Sequence, residues 1–127
     1  MSRVLLFNIK AEKAAKIKML CRKLYIETQT VNRDQYGLRM EQIIADEEAR
    51  AQEPEQSFDE EMLYLADLQG GMLNILLDQL RRRGLSVSLK AVSTPTNLSF
   101  TPCELYREIA AEREAIRRGM TAHQTEE

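Results

Sequence analysis

VLLFNI at residues 4–9 and MLYLADL at residues 62–68 decide how this chain folds. Both are short apolar runs bounded by charge, apolar at successive positions, which marks strands covered on both faces. A helical pattern follows each. Over 10–24, Ala14, Ile17, Leu20, Cys21 and Leu24 recur at steps of three and four, while Lys13, Lys16, Lys18, Arg22 and Lys23 take the remaining surface. Over 70–83, Met72, Leu73, Leu76 and Leu80 form the inner face, and Gly84 stands where a left-handed cap ends a helix. Each helix then leads into a second strand, YIETQTV at 25–31 and LSVSLKAV ending at 92. These two alternate apolar and polar residues, as half-exposed edge strands do.

Set side by side, LCRKLYIETQTV and LRRRGLSVSLKAV share one helix-end-into-strand pattern, and the two starting strands begin 58 residues apart. Two βαβ halves are the economical description. The expected class is α+β, a ferredoxin-like sheet with the first strand of each half central and the second at an edge, plus a C-terminal helix. One alternative stays open. Leu38, Met40, Ile43, Ile44 and Ala45 suggest a further helix between the halves; if it crosses the sheet, the result is a four-strand parallel α/β three-layer sandwich.

Either way the expectation is one domain over 1–118, with halves 3–31 and 60–92, an acidic linker at 46–59, a C-terminal helix at 101–118 and a disordered tail at 119–127. The charged run from Glu47 to Glu61, interrupted by Pro54, reads as mobile. The last helix has the best-marked start: Thr101 as N-cap, Pro102 at the first helical position and Glu104 three residues after the cap make a capping box. Phe100 and Leu105 are spaced to clasp as a hydrophobic staple. Leu105, Ile109, Glu112 and Ile116 continue an inner stripe to about Arg118.

A chain of 127 residues, 43% hydrophobic and 30% charged, can bury a core without disulfide staples. No run of 18 apolar residues occurs and the start has no small-residue cleavage site, so neither a membrane span nor secretion is expected. Cys21 and Cys103 lack the paired spacing of a metal cage or disulfide framework, which fits a reducing cytoplasm. The net charge of −2 hides an asymmetry. Residues 1–40 hold nine Lys/Arg against three Asp/Glu, and 41–70 hold one against ten, the pattern of an acidic connection folding back over a basic helix.

FDEEMLYLADL with the helix after it, then LKAVSTPTN and ELYREI, resembles the bacterial family catalogued as domain of unknown function 3783, over about residues 58–112. KAV, one residue, TPTN is the most specific part. VLLFNI and the Tyr36, Gly37 pair are similar to the upstream portion of longer members, and Phe100 stands where members often carry Trp. The resemblance implies these segment boundaries and a bacterial cytoplasmic setting; it implies no activity, cofactor or catalytic residue.

Candidate chemistry is sparse. The loop 93–101 places Thr94, Thr96, Asn97 and Thr101 between a strand and a helix N-terminus, where amides and the helix dipole favour phosphate or carboxylate, with Lys90 adding a charge. The same residue types serve equally as turn and cap residues. Cys103 in the first helical turn is a weak candidate for a reactive thiol. It lacks a base, since the one histidine, His123, sits near the C-terminus, and Glu104 beside it opposes thiolate formation. Arg81, Arg82 and Arg83 complement a helix C-terminus. Too few aromatics lie on the central strands for RNA binding, and Asp59, Glu60 and Glu61 read as solvated charge rather than a metal cluster.

The reading is a non-enzymatic module that binds a small ligand or a protein, with no catalytic set, metal or cofactor. An enzyme acting on a small anionic metabolite held at the 93–101 loop is the alternative. A homodimer through the sheet or the C-terminal helix is implied by a ferredoxin-like sheet, whose second face needs a cover.

Overall fold

The computed structural model describes residues 2–126 apart from 52, 53, 55 and 56, with side chains described to Gly119. The first half runs β1 (Arg3–Phe7), α1 (Ala11–Lys23), β2 (Glu27–Val31), a 3₁₀ turn (Arg33–Gln35) and α2 (Met40–Ala45). The second runs β3 (Met62–Ala66), α3 (Gly70–Arg82), β4 (Leu89–Val92), a 3₁₀ turn (Asn97–Ser99) and α4 (Pro102–Glu126). The repeat is therefore five elements long rather than three. Arg3 and Met62, Ala11 and Gly70, and Tyr25 and Gly84 all stand 59 positions apart.

The sheet order is β2-β1-β3-β4, with each half internally parallel and the central pair β1 and β3 antiparallel. Leu5 faces Tyr64, its own equivalent in the other half, with Arg3 opposite Ala66 and Phe7 opposite Met62. A local two-fold thus passes between Leu5 and Tyr64. The mixed α+β class and the central first strands agree with the sequence reading. The halves lie side by side instead of interleaving, so the ferredoxin-like order is not reproduced, and the antiparallel centre departs from an all-parallel sandwich. Which central strand each edge strand joins is a long-range choice that periodicity does not encode.

Alternation along the strands makes two cores. Val4, Leu6, Leu63 and Leu65 point to one face, where α1 and α3 bring Ile17, Leu20, Cys21, Leu76 and Leu80. Leu5, Phe7, Met62 and Tyr64 point to the other, covered by Tyr36, Met40, Ile43, Phe58, Leu105 and Ile109. The chain itself thus covers the second face.

Both crossover helices close on Schellman motifs: Ile26 N–H reaches Cys21 O at 2.8 Å and Leu85 N–H reaches Leu80 O at 2.8 Å. The left-handed residue between is Gly84 in one and Tyr25 in the other, with φ 68° and 60°. Tyr25 is consequently outside the strand that the sequence suggested, and 96% exposed. Leu85 and Val87 are buried but precede the ladder, so β4 is shorter than expected. Met72 is exposed rather than inner.

Other departures concern the linker and the C-terminus. Phe58 is 4% exposed and stacks between Tyr36 and Tyr106, at 5.1 Å and 4.5 Å. Gln35 Nε2 donates to the carbonyls of Glu47 and Ala49. The described parts of the linker are therefore tied down, because aromatic burial outweighs its charged composition. At the far end α4 continues past Gly119, where the sequence suggested a tail, since one glycine without a following proline does not stop a helix. Its 25 residues span roughly 37 Å at 1.5 Å per residue, against about 17 Å for a five-residue strand. The inner stripe consequently stops at Ile109, leaving Glu112 and Ile116 exposed. The side chain of His123 lies outside the described residues.

Candidate docking groove

Where β4 meets α4, a groove of about 330 Å³ opens at the free edge of the sheet. Lys90, Ala91 and Val92 form its strand side, Thr94, Thr96, Asn97 and Phe100 its end, and Leu105, Glu108, Ile109 and Glu112 its helix side. Of the residues singled out in the sequence, Lys90, Thr94, Thr96 and Asn97 come together here. Thr101 does not line the groove: its hydroxyl accepts from Glu104 N–H and its own N–H donates to Glu104 Oε1, the reciprocal bonds of the capping box. Those bonds hold the Glu104 carboxyl below its ordinary range.

Most polar atoms of the loop are already engaged. Asn97 Oδ1 accepts from the Tyr64 hydroxyl at 2.6 Å and from Thr94 N–H at 2.8 Å, while its Nδ2 donates to Val92 O at 3.0 Å. Thr94 Oγ1 in turn accepts from Asn97 N–H. Burial is the main cause raising the Tyr64 hydroxyl pKa, so it stays a neutral donor to Asn97. Lys90 Nζ donates to Val87 O at 2.6 Å, turned away from the loop.

Cys103 packs with the second core, and burial, foremost, raises its thiol, with Arg107 acting the other way and Glu104 adding to the rise. A raised thiol is a poor nucleophile at neutral pH. Cys21 lies in the first core and burial alone pushes it up to about 11.

The acidic triplet at 59–61 is dispersed among three cations: Asp59 pairs with Arg33, Glu60 with Arg113 at 3.0 Å and Glu61 with Lys13 at 2.8 Å. Tyr106 also donates to Glu60 Oε1 at 2.8 Å. Glu60 is held below the ordinary carboxylate range, first by the Arg113 bond and then by Tyr106. Among the described residues no group of three His, Cys, Asp or Glu could hold a metal, and no helix is long and apolar enough to cross a membrane.

Residues 61–116 match the family described as Domain of unknown function (DUF3783). The DUF3783 match starts one residue before β3 and ends within α4, so it spans the second repeat and every residue of the groove. No curated protein and no solved structure matches the chain.

Two groove residues lie outside the sequence reading. Glu108 belongs to none of the motifs, and Glu112 falls on the expected inner stripe instead of a groove wall. The signal that could have found them is their i, i+4 spacing around Ile109, which puts both carboxylates on one helix face beside the apolar stripe.

Proposed function

We propose that the protein is a non-enzymatic binding module of the cytoplasm whose docking surface is the groove between β4 and α4. The observation that supports this most is the combination of an unpaired strand edge with an apolar floor of Ala91, Leu105 and Ile109 directly beside it. Strand edges next to grooves are a recurring mode of peptide and protein recognition. A small anion is the poorer occupant. The Lys90 ammonium is bound to a carbonyl, the Asn97 side chain is bonded at both its oxygen and its nitrogen, and Glu108 and Glu112 stand on the opposite wall. The cytoplasmic setting is supported by Cys21 and Cys103 lying on opposite faces of the sheet, where they cannot bridge each other. Exposed Ile116 on α4 makes a second copy the competing partner.

Binding is tested with an obstruction. Thr96 is exposed at the rim, so Thr96→Arg fills the groove without disturbing either core, and Met19→Arg on α1 is the control. A partner retained by the wild-type protein, identified by mass spectrometry and then purified, should bind wild type and the control alike. Thr96→Arg should weaken it by at least about tenfold, the cost of losing one well-packed contact region. Equal affinity of the two variants, or no retained partner, would set the reading aside. Light scattering on the wild-type protein reports a second copy directly.

A further inference from the structure

Strand parity fixes which backbone groups of β4 face outward. Ser93 N–H donates to Leu65 O, so residue 93 is directed at β3, and with it Leu89 and Ala91. Lys90 and Val92 are then directed to the free side, and Val92 O agrees by accepting from Asn97 outside the ladder. Among the described residues nothing claims three ladder groups in a row: Lys90 N–H, Lys90 C=O and Val92 N–H. The Asn97 amide closes the row at its end.

An open edge is ordinarily guarded, often by a lysine. Here the guard is withdrawn. The Lys90 side chain bends back to Val87 O and lines a separate hollow with Leu77, Leu80 and Arg81 toward α3. On the α4 wall, Glu108 and Glu112 sit one turn apart, both exposed, and neither forms an ion pair within 4 Å among the described residues. This contrasts with Glu114 on the same helix, which pairs with Arg117 and Arg118.

Building on the docking function proposed for this groove, we infer that it takes an extended peptide segment carrying a basic side chain, which adds a fifth strand to β4 and sets its cation between Glu108 and Glu112. The three outward backbone groups supply main-chain bonds that any sequence can make. Ala91, Leu105 and Ile109 receive small or apolar side chains on one face of the added strand. The two carboxylates supply the preference, because a lysine or arginine there gains charge pairing that a glutamate would turn into repulsion.

The test uses the full chain, ¹⁵N-labelled, and three probes: the pentapeptide Val-Thr-Arg-Thr-Val, whose valines and arginine share one face of an extended strand, its counterpart with glutamate for arginine, and the arginine peptide with both threonines replaced by proline, which removes two N–H groups and cannot complete a ladder. The arginine peptide should shift the Lys90 and Val92 amides and bind about tenfold or more tightly than either of the others. Glu108→Gln with Glu112→Gln should erase most of that margin while leaving the spectrum folded. Equal binding of the arginine and glutamate peptides overturns the cation preference, and equal binding of the proline peptide overturns strand addition. If no peptide shifts β4 while a partner sensitive to Thr96→Arg exists, the strand-addition inference falls and the docking module stands.

Discussion

In the first repeat the helix after the edge strand has six residues and lies over β2, where buried Gln29 donates to Ile43 O at 3.0 Å. The corresponding helix in the second repeat has 25 residues, outreaches the sheet and leaves a groove beside β4. A shared path through five elements has thus ended in a short helix over one edge strand and a long helix with a groove beside the other. Burial at the local two-fold, around Leu5 and Tyr64, is common to both halves; the difference lies in the helix after each 3₁₀ turn. The candidate function thus lies beside the one repeated element whose length differs between the halves.

The contact that joins the first repeat to the long helix of the second should be the most costly to remove. Phe58 lies 6.2 Å from Phe7 and stacks on Tyr36 of the first repeat and Tyr106 of α4. Its carbonyl accepts from Asn8 Nδ2. Phe58→Ala should destabilise the fold by about 3–4 kcal/mol, the usual cost of deleting a buried aromatic. Urea unfolding read by circular dichroism checks this. A loss under about 1 kcal/mol would mean that α4 is seated without the aromatic stack, and the two repeats would then be more independent than their shared core suggests.

Each repeat also buries a tyrosine hydroxyl on an asparagine, with the partners exchanged. Tyr36, from the region after β2, donates to Asn8 at the end of β1; Tyr64, on β3, donates to Asn97 in the turn after β4. Burial is the largest cause raising the Tyr36 hydroxyl to about 12. Asn97→Ala should cost about 2 kcal/mol, because it strands a buried hydroxyl and frees Thr94 N–H and Val92 O. Adding Tyr64→Phe should return part of that loss, since removing both partners costs less than orphaning one. A strictly additive double variant would show that the bond contributes nothing.

The strands, the helical stripes and the capping box at Thr101 were legible because each is a local pattern read at one period. Even the repeat showed itself, in the helix ends around Tyr25 and Gly84. The side-by-side order β2-β1-β3-β4 was not legible, because which central strand an edge strand joins is not a local pattern, and neither was the seating of the linker by Phe58. Composition misled there: a run rich in Glu hides one phenylalanine that anchors it. The loop at 93–101 was recognisable as a cluster, yet its wall of Glu108 and Glu112 was not, because it forms only when α4 is laid beside an edge strand.

The smallest expected effect concerns those helix ends. Gly84 and Tyr25 occupy the same left-handed position 59 residues apart, and a side chain there costs roughly 1–2 kcal/mol, offset in part by the greater freedom that glycine loses on folding. Among the described residues no atom beyond its chain neighbours lies within 4 Å of where a Cβ would stand on Gly84, so Gly84→Ala isolates the backbone penalty and should lower stability by about 1 kcal/mol. Tyr25→Gly should raise it by roughly 0.5–1 kcal/mol, because a side chain 96% exposed gives up almost no burial when removed. Thermal unfolding of the two variants decides the matter, since opposite shifts of a few degrees are expected for a chain of this size. If Tyr25→Gly instead destabilises the protein, the tyrosine makes a contact beyond its own turn, and the two helix ends are not equivalent despite their matching hydrogen bonds.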